Sequence, residues 1–198
     1  MILKTKTRCA WVGTDPLEIG YHDMEWGNPV FNDIALFEML TLEGAQAGLS
    51  WLTILKKRDA YREAFDYFDI DIVAKYDEEK IRSLMQNEGI VRNEAKIRST
   101  IKNAQLIRSL RKEFRCFSEY LWNYTGGFQI QNAWEHSNQV PAITALSDTI
   151  SADMSNRGFS FFGPAICYAF MQAIGMVNDH TTDCFRYHEI RNTKNKTW

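Results

Sequence analysis

The amino-acid sequence predicts an all-α protein. Apolar residues recur at helical spacing in nearly every segment of the 198-residue chain. Polar residues suited to helix N-caps stand in front of these segments. Alternation of apolar and polar residues, which is typical of half-buried strands, reaches no useful length. With 45% hydrophobic and 24% charged residues, the chain has the composition of an ordinary globular protein with its own core.

The helix boundaries follow from capping residues. Serine, aspartate and asparagine accept hydrogen bonds from the otherwise unpaired N–H groups of a first helical turn. Pro164 suits the first turn of the last predicted helix, because proline has no N–H to leave unpaired there. Gly89 and Gly158 are expected at helix C-termini. The predicted N-caps, in chain order, are Asp33, Ser50, Asp71, Asp77, Asn93 and Ser147.

A tight turn from Gly89 to Asn93 separates two of these helices, and the second helix is basic. Helix, glycine turn and basic helix together form the layout of a helix-hairpin-helix. Such a hairpin offers backbone N–H groups and a helix N-terminus to a phosphate without reading any base. Most helical proteins contain some such turn, so this pattern alone has little specificity.

Charge is distributed unevenly along a chain whose formal net charge is only −2. Residues 92–115 contain eight basic and two acidic residues, a balance of +6, whereas residues 59–80 contain eight acidic and three basic residues, a balance of −5. A basic face on an otherwise acidic protein is what a localised phosphate contact requires. The alternative is a solvated amphipathic helix, and the charge run alone favours it.

Four candidate metal ligands stand near the two ends of the chain: Cys9, His22, His180 and Cys184. His180 and Cys184 are four residues apart, which places both side chains on one helix face or in one tight turn. Two thiolates and two imidazoles are a complete tetrahedral set for Zn²⁺, with no position left open for catalysis. We therefore expect a structural zinc joining the N- and C-terminal segments. The alternative is a buried apolar cysteine beside a core histidine.

Glu43 lies on the apolar face of its own predicted helix, four residues after Met39 and three after Leu40. A charge at such a position is costly unless it is paired or hydrogen-bonded, so the carboxylate is either a structural partner or a functional acid. Position alone favours the structural role. Gly44 and Gly48 allow another group to approach the backbone closely, which favours a pocket.

Aromatic residues gather in the same regions. An electron-rich cage beside a carboxylate suits a flat, cationic ligand through stacking and cation–π attraction, and an alkylated purine fits that description. Each of these residues taken singly is also a candidate for the core. They are Trp11, Tyr21, Trp26 and Trp51, followed later by Phe159, Phe161 and Phe162.

The sequence also bears on the cellular compartment in which the protein is expected. No apolar run approaches the roughly 18 residues that indicate a membrane span, and the chain starts without an apolar stretch long enough for a secretory signal. Four cysteines do not form a disulfide scaffold in a chain of this size. We expect a cytoplasmic monomer with no membrane partner.

The chain closely resembles bacterial 3-methyladenine DNA glycosylase I, a zinc-containing branch of the helix-hairpin-helix DNA glycosylase superfamily. The resemblance runs from about Cys9 to Phe185. Three motifs carry most of it: Tyr-His-Asp-Met-Glu-Trp-Gly at 21–27, Leu-Glu-Gly-Ala-Gln-Ala-Gly-Leu-Ser-Trp at 42–51, and Val-Asn-Asp-His at 177–180. Shorter motifs are Cys-Ala-Trp-Val from residue 9, Gly-Ile-Val-Arg at 89–92, Arg-Gly-Phe at 157–159 and Cys-Tyr-Ala-Phe-Met-Gln-Ala from residue 167.

The resemblance implies a base excision repair enzyme that hydrolyses the N-glycosidic bond of 3-methyladenine in alkylated double-stranded DNA, without strand cleavage. The damaged base would be flipped into the aromatic pocket and read by Glu43, with Tyr21 paired to it. The implied base-binding residues are Trp51, which stacks, with Trp11 and Trp26 beside it. The implied DNA-binding residues are Leu49, Gly89, Val91, Arg92 and Lys96. The implied zinc ligands are Cys9, His22, His180 and Cys184.

The resemblance further implies one unit over residues 1–198, with a helix-hairpin-helix lobe at 33–125 and a zinc-containing lobe formed by 1–32 and 126–198. The chain departs from the superfamily pattern twice. Arg92 replaces the second glycine of the hairpin, and no aspartate that could support glycosyl transfer follows it. Lys96 does follow the hairpin, where a phosphate contact or a solvated position is favoured over a Schiff-base nucleophile.

Two other functions remain open. A zinc-dependent nucleobase deaminase requires His-x-Glu and Pro-Cys-x-x-Cys. The stretch His22-Asp23-Met24-Glu25 misses the first spacing by one residue, and the second motif is absent. A non-catalytic sensor of DNA damage with the same fold is the other alternative.

Overall fold

In the computed structural model, residues 6–191 form ten α-helices and one pair of two-residue strands. The predicted all-α fold is therefore confirmed. The ends of the predicted unit, residues 1–5 and 192–198, lie outside the described residues. The helices are α1 Pro16–Met24, α2 Asp33–Gln46, α3 Trp51–Ala64, α4 Ile70–Val73, α5 Glu78–Gln86, α6 Glu94–Leu110, α7 Phe117–Trp122, α8 Ala145–Asn156, α9 Pro164–Ala173 and α10 Phe185–Arg191; the strands are β1 Ile130–Gln131 and β2 Val177–Asn178.

Helix α2 forms the centre of the molecule. Every residue from Leu36 to Ala45 is buried, so the helix is enclosed on all sides rather than amphipathic. It packs against α3, α6, α7 and α9. Any polar side chain on this stretch of α2 is consequently withdrawn from solvent unless a pocket reaches it.

Several predicted helix boundaries are confirmed. The side chains of Ser50, Asp77 and Asn93 accept a hydrogen bond from the N–H three residues later, at the starts of α3, α5 and α6. Pro164 is the first residue of α9. Gly158 follows the end of α8 with a φ of +97°, a left-handed conformation that favours glycine.

Other predicted caps are wrong by two or three residues. Asp69, not Asp71, caps α4. Thr144 caps α8, and its own N–H donates to the Ser147 hydroxyl oxygen, which completes a capping box. Gly89 is not a helix C-cap, because α5 already ends at Gln86.

Asp33 also caps a different helix from the predicted one. The N-cap of α2 is Asn32, whose side chain accepts from the Ala35 N–H at 3.0 Å. The Asp33 carboxylate instead accepts from the N–H groups of Phe117 and Ser118, at 3.1 and 2.9 Å. It thus satisfies the first turn of α7 and ties that helix to the start of α2.

The basic and acidic segments of the chain pair with each other. Arg98 on α6 forms a bidentate ion pair with Glu78, at 2.6 and 2.7 Å. Arg108 and Arg111, further along α6, both reach Asp71, at 2.9 and 3.0 Å. Much of the predicted basic face is therefore neutralised within the protein. Within residues 6–191, no helix is long and apolar enough to cross a membrane.

The two strands bring a loop and the C-terminal segment together. Ile130 pairs with Val177 and Gln131 with Asn178 in a parallel register. The Gln129 amide donates to the carbonyls of Gly27 and Gly175, at 2.7 and 2.8 Å. The segment after α1, the loop before β1 and the chain after α9 are thereby joined.

Gly175 marks the closest backbone approach in this region. Its φ is +66°, and an added β-carbon would lie 2.2 Å from the carbonyl carbon of Asn28. Replacing Gly175 with alanine should lower the free energy of unfolding by at least about 2 kcal/mol, because left-handed strain is added to a backbone clash. Chemical denaturation measures this loss.

Gly20→Ala is the matched control. Gly20 lies within α1 and has nothing within 4 Å of an added β-carbon. This substitution should raise the free energy of unfolding by about 0.5–1 kcal/mol through helix propensity. Similar destabilisation by both substitutions would contradict the assignment of a close approach at Gly175.

Candidate functional site

A pocket of about 450 Å³ opens between the N-terminal segment, α1, α2 and α3 on one side and α9 on the other. Phe159, Phe161 and Phe162 are not among the described lining residues, whereas the structure brings the other five candidate residues together there. These five are Trp11, Tyr21, Trp26, Glu43 and Trp51.

Aromatic rings form one side of the pocket. The centroids of the Tyr21 and Trp51 rings lie 5.1 Å apart, and those of Trp11 and Trp26 also lie 5.1 Å apart. Tyr21 and Trp26 are buried, whereas Trp11 stands at the rim with 38% of its surface exposed. Rings at several inclinations offer both faces and edges to a flat ligand.

Glu43 reaches the pocket from the buried stretch of α2. Only 4% of its surface is exposed, and no described residue forms a hydrogen bond or ion pair with its carboxyl group. Burial without a partner penalises the charged form and raises the pKa of Glu43 from 4.5 to about 8. A buried polar group in this state is expected to be completed by a ligand.

A second group in the pocket is also incomplete. The Trp51 indole N–H is buried without an acceptor in residues 6–191. Burial, with a smaller effect of the nearby Glu43 carboxyl group, raises the pKa of Tyr21 well above its usual value, so its hydroxyl stays neutral. The described lining residues include hydrogen-bonding groups and ring faces but no lysine, arginine or histidine.

The opposite wall of the pocket consists of residues that the sequence did not single out. Asp179 is buried and accepts from four side chains: Tyr168, Gln172, Asn132 and Trp134, at 2.6 to 2.8 Å. It joins α9 to the loop before residue 137 and so positions the wall at Ser137, Val140, Pro141 and Ala142. Asp179 belongs to the Val-Asn-Asp-His motif, and that motif is the sequence feature that could have identified it.

The four predicted metal ligands converge beside this pocket. All four are buried, and their donor atoms lie within 4.8 Å of one another. The His180 Nδ1 lies 3.4 Å from the Cys9 Sγ and 3.5 Å from the Cys184 Sγ. Zinc–ligand bonds of about 2.0–2.3 Å in a tetrahedron require ligand separations of about 3.5 Å. This is the only such cluster of three or more ligands within residues 6–191.

The remaining nitrogen of each imidazole also suits a metal centre. The Nδ1 of His22 lies 2.8 Å from an Asp23 carboxylate oxygen, and the Nε2 of His180 lies 3.1 Å from the Trp26 carbonyl oxygen. Hydrogen bonds from Arg8 are the main reason that the pKa of Asp23 falls to about 2, so this acceptor remains ionised. Such bonds fix the tautomer that leaves the other nitrogen free for metal.

The thiols complete the fit. Hydrogen bonds from Cys9 first, and then from the two imidazoles, lower the pKa of Cys184, while the same contact with Cys184 raises the pKa of Cys9. A thiolate is the form that binds a metal. Four protein donors leave no open position, so the residues fit a closed structural site. The link from His180 to Trp26 connects that site to the pocket wall.

The predicted DNA-binding residues lie on two neighbouring segments. Leu49 is 42% exposed and follows Gly48, whose φ is +82°. The Lys96 ammonium group donates to the carbonyls of Ala45 and Ala47, at 2.8 and 2.7 Å. Lys96 therefore caps the C-terminus of α2 and fixes the segment that presents Leu49.

The hairpin between α5 and α6 packs on α3. A β-carbon on Gly89 would lie 2.6 Å from that of Ala60, which explains why a glycine is needed here. The Gly89 N–H donates to Asn87 and the Val91 N–H to the Tyr61 hydroxyl, at 2.8 and 3.1 Å. Both amides expected to face a phosphate are thus engaged within the protein.

Comparison with known proteins identifies the family of this chain. The chain matches the Methyladenine glycosylase family over residues 11–187. It is 45% identical over 178 residues to the DNA-3-methyladenine glycosylase of Haemophilus influenzae, covering 90% of this chain and 96% of that protein. A crystal structure of 3-methyladenine DNA glycosylase I, 44% identical, matches with a TM-score of 0.88 over 90% of this chain and 98% of the other. A variant enzyme in complex with 3-methyladenine, 35% identical, matches with a TM-score of 0.87 over 90% and 96%.

The unpartnered carboxyl group should leave a signature in the pH dependence of stability. With a folded-state pKa raised to about 8, Glu43 stays protonated in the folded chain while it ionises in the unfolded chain above 4.5. The free energy of unfolding is therefore undiminished by this group below pH 4.5. It falls as the pH rises toward 8, by up to about 1.4 kcal/mol per pH unit. Glu43→Gln should remove this loss. The check is the difference in unfolding free energy between the two proteins from pH 5 to 9, and a constant difference would contradict the raised pKa.

If the four residues hold a structural zinc, Cys9→Ser should lose that metal and several kcal/mol of stability, of the order known for structural metal sites. Metal content per chain and thermal unfolding measure both effects. Cys116→Ser is the control, because Cys116 lies outside the cluster and a hydroxyl can still accept from the Glu119 N–H at the start of α7. Full stability of metal-free Cys9→Ser would contradict a structural role.

Proposed function

Because this chain belongs to the methyladenine glycosylase family, we propose that it excises 3-methyladenine by flipping the damaged nucleotide into the pocket, where Glu43 reads the base. The chain is a DNA glycosylase, a hydrolase that acts on DNA with damaged bases. The observation that carries the proposal is the buried Glu43 carboxyl group, which has no partner among residues 6–191 and lines a pocket of aromatic rings.

The chemistry of the lesion sets what the pocket must do. Methylation at N3 gives the adenine of a nucleotide a positive charge, which weakens the glycosidic bond. When that bond breaks, its electron pair passes to the base and cancels the charge. A water molecule forms the new bond to the sugar carbon and loses a proton to solvent. The leaving base thus needs no protonation, and a few kcal/mol of positioning and electrostatic stabilisation suffice.

Glu43 would act by recognition. A cationic base entering the pocket lowers the pKa of Glu43, because an opposite charge favours the ionised carboxylate. The carboxylate then accepts hydrogen bonds from the base while Trp51 stacks on its face. Tyr21, buried against Trp51, would hold the pair in place. Ordinary adenine would fail because its glycosidic bond is stronger and it carries no charge.

The duplex would be held by the surface next to this pocket. Leu49 would enter the gap left by the flipped nucleotide, and Arg92 would contact a phosphate near the hairpin. Lys96 would act through its hold on the end of α2, which positions Leu49. The hairpin glycine, Gly89, would bring this segment close to α3 rather than offer its own N–H. The N–H of Val91 is also engaged within the protein, so this residue would hold the shape of the turn.

A hydrolytic reaction without strand cleavage fits the amines near the pocket. No lysine is present among the described lining residues. The Lys96 ammonium group is engaged by two carbonyls at the end of α2, so it does not serve as a nucleophile. The proposed enzyme is therefore monofunctional. We further propose that it acts as a cytoplasmic monomer.

Zinc would be held by Cys9, His22, His180 and Cys184 in a structural role. Bound there, it would supply rigidity rather than a nucleophile, because no position remains for water. The residues around it would transmit that rigidity, since the His180 ring bonds to the Trp26 carbonyl and Tyr21 precedes His22.

Glu43→Gln should reduce release of 3-methyladenine by about tenfold to a hundredfold, and Glu43→Ala by more, with the fold retained. The reason is the loss of a charged acceptor opposite a cationic base. The measurement is incubation with methylated duplex DNA and identification of the released base by mass spectrometry. Glu63→Gln on the exposed side of α3 is the charge-matched control and should match wild type.

The same experiment distinguishes the alternatives. A deaminase would leave its altered base in the DNA, and a damage sensor would bind the DNA without releasing a base. Wild-type release by Glu43→Gln would refute the reading role, and absence of release by the wild-type protein would refute the proposed function.

A further inference from the structure

The loop between α8 and α9 presents one aromatic side chain outward. Phe159 and Phe162 are each only 5% exposed, whereas Phe161 is 36% exposed. The backbone of Phe161 has a φ of +55°, a left-handed conformation that is rare for a bulky residue. Such conformations persist when the surrounding structure enforces them, and they cluster at functional positions.

Buried polar groups hold the loop on both sides of Phe161. The amide of Asn103, on α6, donates to the Ser160 carbonyl and accepts from the Ser160 N–H, both at 3.2 Å. The Ser151 hydroxyl, on α8, donates to the Phe162 carbonyl at 2.7 Å. Helices α6 and α8 therefore fix the backbone on both sides of Phe161.

The loop lies against the helical turn that carries Glu43. A β-carbon on Gly44 would lie 3.2 Å from the Phe161 carbonyl oxygen and 3.5 Å from its β-carbon. Phe161 also lines a small cavity of about 10 Å³ together with Val91 of the hairpin and Lys96 of α6. Phe161 thus adjoins the hairpin and the part of α2 that carries Gly44.

A cation stands beside the same loop. The Cε of Lys102 lies 3.9 Å from the position of a β-carbon on Gly158, and the ammonium group has no ion pair within residues 6–191. Most arginines on α6 are neutralised by carboxylates, as described above. This loop therefore carries an exposed aromatic ring and has a lysine without an ion pair beside its first residues, and such groups stack on bases and contact phosphates.

We propose that Phe161 is a second duplex-contacting residue, which stacks on a DNA base next to the flipped nucleotide while Leu49 occupies the gap. This inference rests on the proposed function and names a residue that the flipping step requires. The occupant is duplex DNA rather than another protein, because Phe161 shares a small cavity with Val91 and Lys96 and Lys102 lies beside the start of the same loop.

Phe161→Ala tests the inference in two measurements. Its kcat/KM for duplex DNA containing 3-methyladenine should fall at least tenfold, whereas binding of free 3-methyladenine to the pocket should equal that of wild type. Phe161→Trp should retain activity, because it keeps a flat ring. Phe128→Ala is the control, since Phe128 is 53% exposed and does not line the pocket.

A fluorescent base shows the stacking directly. With 2-aminopurine next to an abasic-site analogue in a duplex, wild type and Phe161→Trp should quench the fluorescence, and Phe161→Ala should leave it bright at saturation. Wild-type kcat/KM and quenching by Phe161→Ala would overturn the inference, as would equal loss of excision and of free-base binding. Failure of the proposed function would appear differently, as no base release by the wild-type protein.

Discussion

The pocket is organised around one carboxyl group that is buried in the middle of the central helix. Glu43 lies on the stretch of α2 that is enclosed on all sides, and no described residue supplies it with a partner. Burying such a group costs free energy, and its raised pKa expresses that cost. A chain that retains this arrangement gains nothing in stability from it. In the proposed function, the base that enters the pocket supplies the missing partner.

The surrounding elements hold the pocket open around that group. On one side, the four candidate metal ligands join the N-terminal segment to residues 180–184, and the His180 ring is bonded to Trp26. On the other side, Asp179 gathers four donors and fixes the wall formed by α9 and the 137–142 loop. Lys96 holds the end of α2. Each contact stabilises a pocket wall without completing the hydrogen bonds of Glu43.

The sequence could predict features that depend on local spacing or on residue chemistry. The position of Glu43 on an apolar face, the four-residue spacing of His180 and Cys184, and the helical class are of this kind. It could not predict features decided by distant partners. Asp33 looks like a cap for its own helix, yet it caps α7, because the Phe117 and Ser118 amides arrive from 84 and 85 residues away. The basic residues of α6 are likewise compatible with a phosphate-binding surface in the sequence, because the acidic residues that pair with them lie in other segments of the chain.

The most direct test is the titration of the Glu43 carboxyl carbon by NMR, in protein labelled with ¹³C-glutamate and assigned with Glu43→Gln. We expect an apparent pKa near 8 in the free protein. Saturating 3-methyladenine should shift both the resonance and its titration, because the base becomes the missing partner. A pKa near 4.5, or a resonance that does not respond to the base, would contradict the claim that Glu43 awaits a ligand.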